Sequence, residues 1–459
     1  MDPMSECTDG NGEVVLDSRE AIYAAAAELE TCSDCKKKIT LKGCHLSTTT
    51  AATLVNILRK NKECVEELVL DKCKGRLDIV LTVACTVAMP KALSIFLDYP
   101  PSIAFEPLAH SIGVGLLTNS SLEELKLDIG SNRGFYTLTS DAARSLEEGM
   151  SGNTTLSTLH IKNCRFAESS AVRILAEALR RIKGSLRDVR LAFCCEPNGQ
   201  PLEDRNIACL IRALDGGALE RLNVTGNQCL DYSFQALALL VDGTQIKAVD
   251  VSFQHMNRDE SMPTFSLVGP LGRTSTLETL TLQSNNLSTD FDMACLAAAL
   301  THNTSIKHIN LSDNNISSSA MNILSSQIPF MKVLENLWIE HNPVAAPDEH
   351  DVSENLAKAM KENTVIRSVA CDPKLADYKT IRYYADLNWG GRGFLPQNRT
   401  RTNTSKNDNS SSSREDVAII PSALWPMILS RTGRLSKSRE RRANVIYFLL
   451  QQGSPVFPT

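Results

Sequence analysis

The sequence predicts an α/β fold: a right-handed solenoid of strand–helix repeats, curved as a horseshoe with parallel strands on its concave side and helices on its convex side. Three observations carry this. An eleven-residue phrase occurs three times in succession: Leu277-Glu-Thr-Leu280-Thr-Leu282-Gln-Ser-Asn285-Asn-Leu287, Ile306-Lys-His-Ile309-Asn-Leu311-Ser-Asp-Asn314-Asn-Ile316 and Leu334-Glu-Asn-Leu337-Trp-Ile339-Glu-His-Asn342-Pro-Val344. Its copies start 29 and 28 residues apart, which leaves room for a strand, a turn and a helix in each. Within a copy the apolar spacing then turns helical, as in Met293, Leu296, Ala297 and Leu300, or Met321, Leu324 and Ile328. Strand, helix and parallel strand in one sheet make a right-handed crossover.

Each copy has aliphatic residues at its first, fourth, sixth and eleventh places and Asn at its ninth. That phrase, L-x-x-L-x-L-x-x-N/C-x-L, resembles the leucine-rich repeat, and a repeat long enough for a full helix resembles its ribonuclease-inhibitor-like type. The resemblance covers about residues 36–395 and is clearest from 219 to 345. Tracking the fourth and sixth places outward gives about twelve repeats over 36–377, starting at 36, 65, 92, 122, 156, 186, 219, 246, 277, 306, 334 and 366. The copy at 92 rests on Ile95 and Leu97, followed by Asp98-Tyr-Pro-Pro where the turn should be.

In chain order, residues 1–16 are polar and read as a disordered N-terminus. Asp17-Ser-Arg-Glu20 has the spacing of a helix start, so 17–35 is expected to be a helical N-cap over the open end of the solenoid. Cys32-Ser-Asp-Cys35 is a single C-x-x-C with no second pair, so it reads as two ordinary thiols and not as a metal site. Residues 378–395 drop the phrase and read as a C-terminal capping helix that Gly390-Gly391 stops. The Asn-, Ser- and Arg-rich 396–416 has the composition of a disordered linker. A small basic helical tail, 417–459, follows, with apolar segments flanking Arg431 to Arg442. The basic run reads as a connector, a nuclear-import or nucleic-acid patch, or a clamp on acidic strands of the solenoid.

The ninth place is Cys44, Cys73, Cys164 and Cys194 early and Asn227, Asn285, Asn314 and Asn342 later. The resemblance implies that these side chains point inward and satisfy backbone groups of the turns, a structural ladder and not a reactive one. The third, fifth and seventh places line the concave face instead. They include Glu67, Val69, Asp71; Glu124, Lys126, Asp128; Thr158, His160, Lys162; Asp188, Arg190, Ala192; Arg221, Asn223, Thr225; Ala248, Asp250, Ser252; and, after Thr279, Thr281 and Gln283, His308 and Asn310, then Asn336, Trp338 and Glu340. The face reads as acidic early, mixed in the middle and uncharged later until Trp338. Glu67, Asp71, Glu124, Asp128, His160, Arg190, Asp250, His308, Trp338, Glu340 and the adjacent His341 are the partner-binding candidates, with Trp338 as anchor.

Composition narrows the function classes. Hydrophobic residues at 42% and charged residues at 22% are ordinary for globular chains. Net charge is −5, divided as +6 over 396–459 and −11 over the remainder, too mild to name nucleic acid as partner. There is no secretory leader and no run near the roughly 18 apolar residues of a membrane span, so a cytoplasmic or nuclear protein with reduced thiols is expected. No catalytic constellation, phosphate loop or H-E-x-x-H appears, so no catalytic residue, cofactor, metal or small-molecule substrate is expected. The expected function is a non-enzymatic protein–protein interaction scaffold or regulator. The resemblance also implies a second possibility, a GTPase-activating protein of the Ran-activator type, although the acidic tail of those proteins is missing.

Overall fold

Aliphatic residues at alternate places put two side chains per repeat on one side of a strand. The computed structural model describes these strands and their helices over residues 8–9, 13–22, 37–62, 64–97, 105–131, 134–195, 200–254, 265–342 and 348–389. It comprises two bodies, Met1–Leu287 and Ser288–Thr459. The C-x-x-C pair, the glycines after the last helix, the linker and the basic tail lie outside the described residues.

In the first body the sheet runs in sequence order through Glu13–Leu16, Lys37–Lys42, Val65–Asp71, Ala92–Phe96, Glu124–Asp128, Thr158–Lys162, Asp188–Ala192, Arg221–Asn223, Ala248–Asp250 and Thr279–Thr281. All of these pair in parallel, and Thr8–Asp9 adds an antiparallel edge. Fourth-place residues stand in one row, with Leu125, Leu159, Val189, Leu222, Val249 and Leu280 paired in succession and every one buried. The second body repeats the arrangement with His308–Asn310, Asn336–Trp338 and Ser368–Ala370, in which Ile309, Leu337 and Val369 are the buried row. Burying each such Leu or Val contributes about 1.5–3 kcal/mol.

A helix returns the chain after each strand. Ser47, Thr139, Thr289 and Ser317 cap four of them, each hydroxyl accepting the backbone N–H three residues on. Helix Ser169–Ile182 buries Val172, Leu175, Ala176 and Leu179, the helical-period stripe that faces the strands. The last helix, Tyr378–Trp389, follows the final strand where the capping helix was expected. Strand–helix alternation in parallel order makes the fold the expected α/β repeat array.

Three details differ from the sequence-based expectation. Glu13–Leu16, inside the stretch expected to be disordered, forms a strand that pairs with Lys37–Lys42, with Val14 opposite Ile39 and Leu16 opposite Leu41. The helix after it starts with Ser18, whose Oγ accepts the Ala21 N–H at 3.0 Å, one residue beyond the expected Asp17. The third repeat is also displaced. Leu93 pairs with Leu68 and Ile95 with Leu70, so the inward pair is Leu93/Ile95 and not Ile95/Leu97. Leu93, Ile95 and Leu97 alternate, and a shift of two residues leaves every side chain on its own face. The alternation fits both registers, and only the neighbouring strand decides between them.

Candidate partner-binding face

The ninth-place residues form the scaffold that holds the face. Six of the eight reach back to the carbonyl at the sixth place, or its equivalent, one strand earlier. Cys44 Sγ donates to Leu16 O at 3.0 Å, Cys73 Sγ to Leu41 O at 3.3 Å and Cys194 Sγ to Ile161 O at 3.9 Å. Asn227 Nδ2 donates to Leu191 O at 2.7 Å, Asn285 Nδ2 to Val251 O at 2.6 Å and Asn342 Nδ2 to Leu311 O at 3.0 Å. The amide rungs add an acceptor: Asn227 Oδ1 takes the Cys194 N–H at 3.2 Å and Asn285 Oδ1 the Gln254 N–H at 3.0 Å. Cys164 donates to Arg165 O, and Asn314 to Ser312 O. Gln254 is a rung that the phrase did not reveal, with Nε2 on Val224 O at 3.1 Å. It stands nine places into its repeat, where counting alone would have found it.

A second buried set was missed. Asn119, Asn153, Asn303 and Asn363 each stand three residues before an opening aliphatic, and each Oδ1 accepts that aliphatic residue's N–H. These Asn bond the backbone where a helix passes into the next strand.

The eighth place carries the strongest local constraint. Gly43, Lys72, Asn163, Phe193, Gly226, Phe253, Ser284, Asp313 and His341 all have φ between +52° and +74°. Left-handed backbone costs a non-glycine residue about 1–2 kcal/mol, least for Asn and Asp. Two Phe side chains at this place are therefore outliers. Both rings stay out in solvent, 44% and 43% exposed. Gly226 stands between them, and a Cβ there would collide with the Phe193 ring, 2.6 Å from Cε1.

The acidic side chains at the start of the first body are partly offset by lysines. Lys38 and Lys42 stand on the strand beside Glu67 and Asp71, with Lys38 Nζ 3.8 Å from Glu67 and Lys42 opposite Asp71. Glu124 is paired with Lys126, and Asp128 accepts Asn163 Nδ2 at 2.7 Å. The sequence-based charge reading began at Glu67 and left out the strand before it.

Farther on, His160 and Arg190 meet on Asp188, which is only 5% exposed. His160 Nε2 is 3.2 Å from Asp188 Oδ1, Arg190 Nε 3.5 Å from the same oxygen, and Arg221 Nε 2.9 Å from Oδ2. Burial alone would raise the Asp188 pKa, but hydrogen bonds from His160 and Arg221 and the charge of Arg190 hold it well below the usual carboxylate range. Asp250 is satisfied separately, by Asn223 at 2.8 Å and Ser252 Oγ at 2.6 Å.

In the second body Trp338 is half-buried on the strand face, its ring centroid 6.5 Å from that of His308. Asn336 donates to His308 Nδ1 and fixes the imidazole plane. Glu340 stands at the seventh place of the same repeat, in the turn after the strand. His341 is not beside them: it occupies the left-handed turn position at φ +58°, exposed, with Nδ1 3.4 Å from Asp313. Among the described residues no group of three or more His, Cys, Asp or Glu side chains could hold a metal ion. No described helix is long and apolar enough to cross a membrane.

No family model matches the chain, and no curated protein matches it. Among solved structures, actin-binding site 2 of leiomodin-1 is similar at 18% identity, over 28% of this chain and 74% of that one, with a TM-score of 0.26. A tropomodulin C-terminal domain from Caenorhabditis elegans is similar at 15% identity, over 34% of this chain and 93% of that one, with a TM-score of 0.30. Likenesses this partial do not bear on what this chain binds.

Proposed function

We propose that the chain is a non-enzymatic protein-binding scaffold of the ribonuclease-inhibitor-like kind, working in the cytoplasm or nucleus and holding a partner protein on its strand face. The observation that supports this most is the row of third-, fifth- and seventh-place side chains. Parallel pairing fixes them in register, outside the buried row, with Trp338 flanked by His308. A preformed surface of this kind binds without a large ordering cost. Glu67, Asp71, Glu124, Asp128 and Asp250 then serve as polar contacts on the first body, and on the second Trp338 is the apolar anchor with Glu340 in the same repeat.

Cross-linking mass spectrometry on extract of the source cells, with the full chain as bait, tests this. A specific partner should cross-link to strand-face lysines such as Lys126 and Lys162, and Trp338→Ala should weaken it by about 2 kcal/mol or more. Cross-links confined to the helix side, with binding undiminished by Trp338→Ala, would reject the reading. The same preparation should leave GTP hydrolysis by small GTPases unaccelerated. An acceleration would favour the Ran-activator kind of function.

A further inference from the structure

The repeats at 186, 219 and 246 combine two features that structural duty does not explain. The first is the pair of arginines on Asp188. Both guanidinium groups are tethered through Nε, Arg190 to one carboxylate oxygen and Arg221 to the other. Among the described residues no side chain accepts a hydrogen bond from their terminal Nη groups. One buried carboxylate thus orients two planar forks whose remaining donors face solvent, with Lys162 on the strand next to that of Arg190. Such forks match carboxylates in a bidentate manner.

The second feature is the pair of exposed phenylalanines. Phe193 directly follows the Asp188–Ala192 strand, and Phe253 stands at the same place two repeats on. Their N–H groups donate to Thr225 O at 2.7 Å and Gln283 O at 2.8 Å, so the turns continue the strand ladder. Their backbone positions are two strand spacings apart, about 10 Å, with Gly226 between them and the Phe193 ring against it. Strained backbone that carries an exposed apolar side chain is the kind of local cost found at functional positions.

We infer that this surface binds an acidic segment of a partner protein, with Asp or Glu side chains on Arg190 and Arg221 and apolar side chains of the same segment on Phe193 and Phe253. Asp188 and His160 are positioning residues here. The positive charge left over on the forks selects an acidic occupant over the chain's own basic 431–442 run. The inference rests on the proposed use of the strand face.

A random twelve-residue peptide library panned on the immobilised full chain tests it, with the enriched peptides measured by fluorescence anisotropy. Enriched sequences should combine Asp or Glu with Leu, Ile, Val or Phe. Arg190→Ala/Arg221→Ala should weaken them by about tenfold or more. Phe193→Asn/Phe253→Asn should do the same, and because Asn tolerates left-handed backbone this variant should melt no lower than the parent. Trp338→Ala should leave the peptides within about twofold. Enrichment of basic or uncharged peptides, no enrichment, or binding that survives both double variants would overturn the inference. Peptides lost on Trp338→Ala alone would overturn it and still support binding elsewhere on the strand face.

Discussion

Asn342 closes one repeat onto another through both ends of its amide: Nδ2 donates to Leu311 O at 3.0 Å and Oδ1 accepts the Asn314 N–H at 2.9 Å. Oδ1 also takes the Ile316 N–H at 3.1 Å, and the side chain is buried. Replacing it with Leu leaves two backbone donors and the carbonyls of Leu311, Ile339 and Glu340 without that partner inside the turn. Each buried group stripped this way costs about 1–3 kcal/mol. Asn342→Leu should therefore lower stability by about 2–4 kcal/mol, read as a fall in the thermal or urea midpoint. An unchanged midpoint would remove the ladder from the account of this fold.

The ladder was largely legible in the sequence because its residues recur at a fixed count from an aliphatic pair. Cys44 and Asn342 look nothing alike chemically, yet both occupy the ninth place. The Leu93/Ile95 register was not legible, since three alternating aliphatics fit two pairings and only contact with Leu68 and Leu70 selects one. The binding candidates were legible as a row and not as a cluster. Nothing in the spacing says that His160, Arg190 and Arg221 share the carboxylate of Asp188, because that depends on side-chain reach across neighbouring strands. Phe193 and Phe253 were hidden for another reason. Their repeated place is set by backbone dihedrals that the hydrophobic pattern does not encode.

Phe193 and Gly226 should be energetically coupled. Gly226 has φ +74°, and a methyl group there meets the Phe193 ring. Gly226→Ala alone takes both the left-handed penalty and the collision, about 2 kcal/mol in total. Phe193→Ala removes the collision and leaves the penalty. Adding Phe193→Ala to Gly226→Ala should therefore return about 0.5–1 kcal/mol in a double-mutant cycle by urea denaturation. Strict additivity would mean that the ring moves aside freely.

Asp188 should make stability depend on pH in a defined direction. Its folded-state pKa is depressed, so the folded form holds the ionised carboxylate more tightly than the unfolded chain does. The resulting stabilisation is present in full above the unfolded value of about 3.9 and fades as pH falls below it towards the depressed folded value. Arg190 and Arg221 are 40% and 51% exposed, which screens their share. Asp188→Asn should cost about 2 kcal/mol at pH 7, and the gap to the parent should narrow as unfolding is measured from pH 5 down to pH 3. A constant gap would show that the loss is one of shape and not of charge.

Thiol chemistry should separate four fully enclosed cysteines from the partly buried ones. Burial pushes Cys85 and Cys194 up to about 12, with the neighbouring Cys195 adding to the rise at Cys194, and it raises Cys164 and Cys229 as well. The thiolate is the nucleophile, so a thiol that stays protonated and enclosed should not react in the native state. Cys64, Cys209 and Cys295 are only partly buried. In brief iodoacetamide labelling at pH 8 followed by peptide mass spectrometry, Cys85, Cys164, Cys194 and Cys229 should stay unmodified until denaturant is added. Cys64 and Cys209 should label first, and Cys295 more slowly because burial and Asp292 raise its pKa too. Early labelling of Cys194 would mean that the repeats around Asp188 open readily, and the arginine forks would then lack the rigid support that a carboxylate-binding site needs.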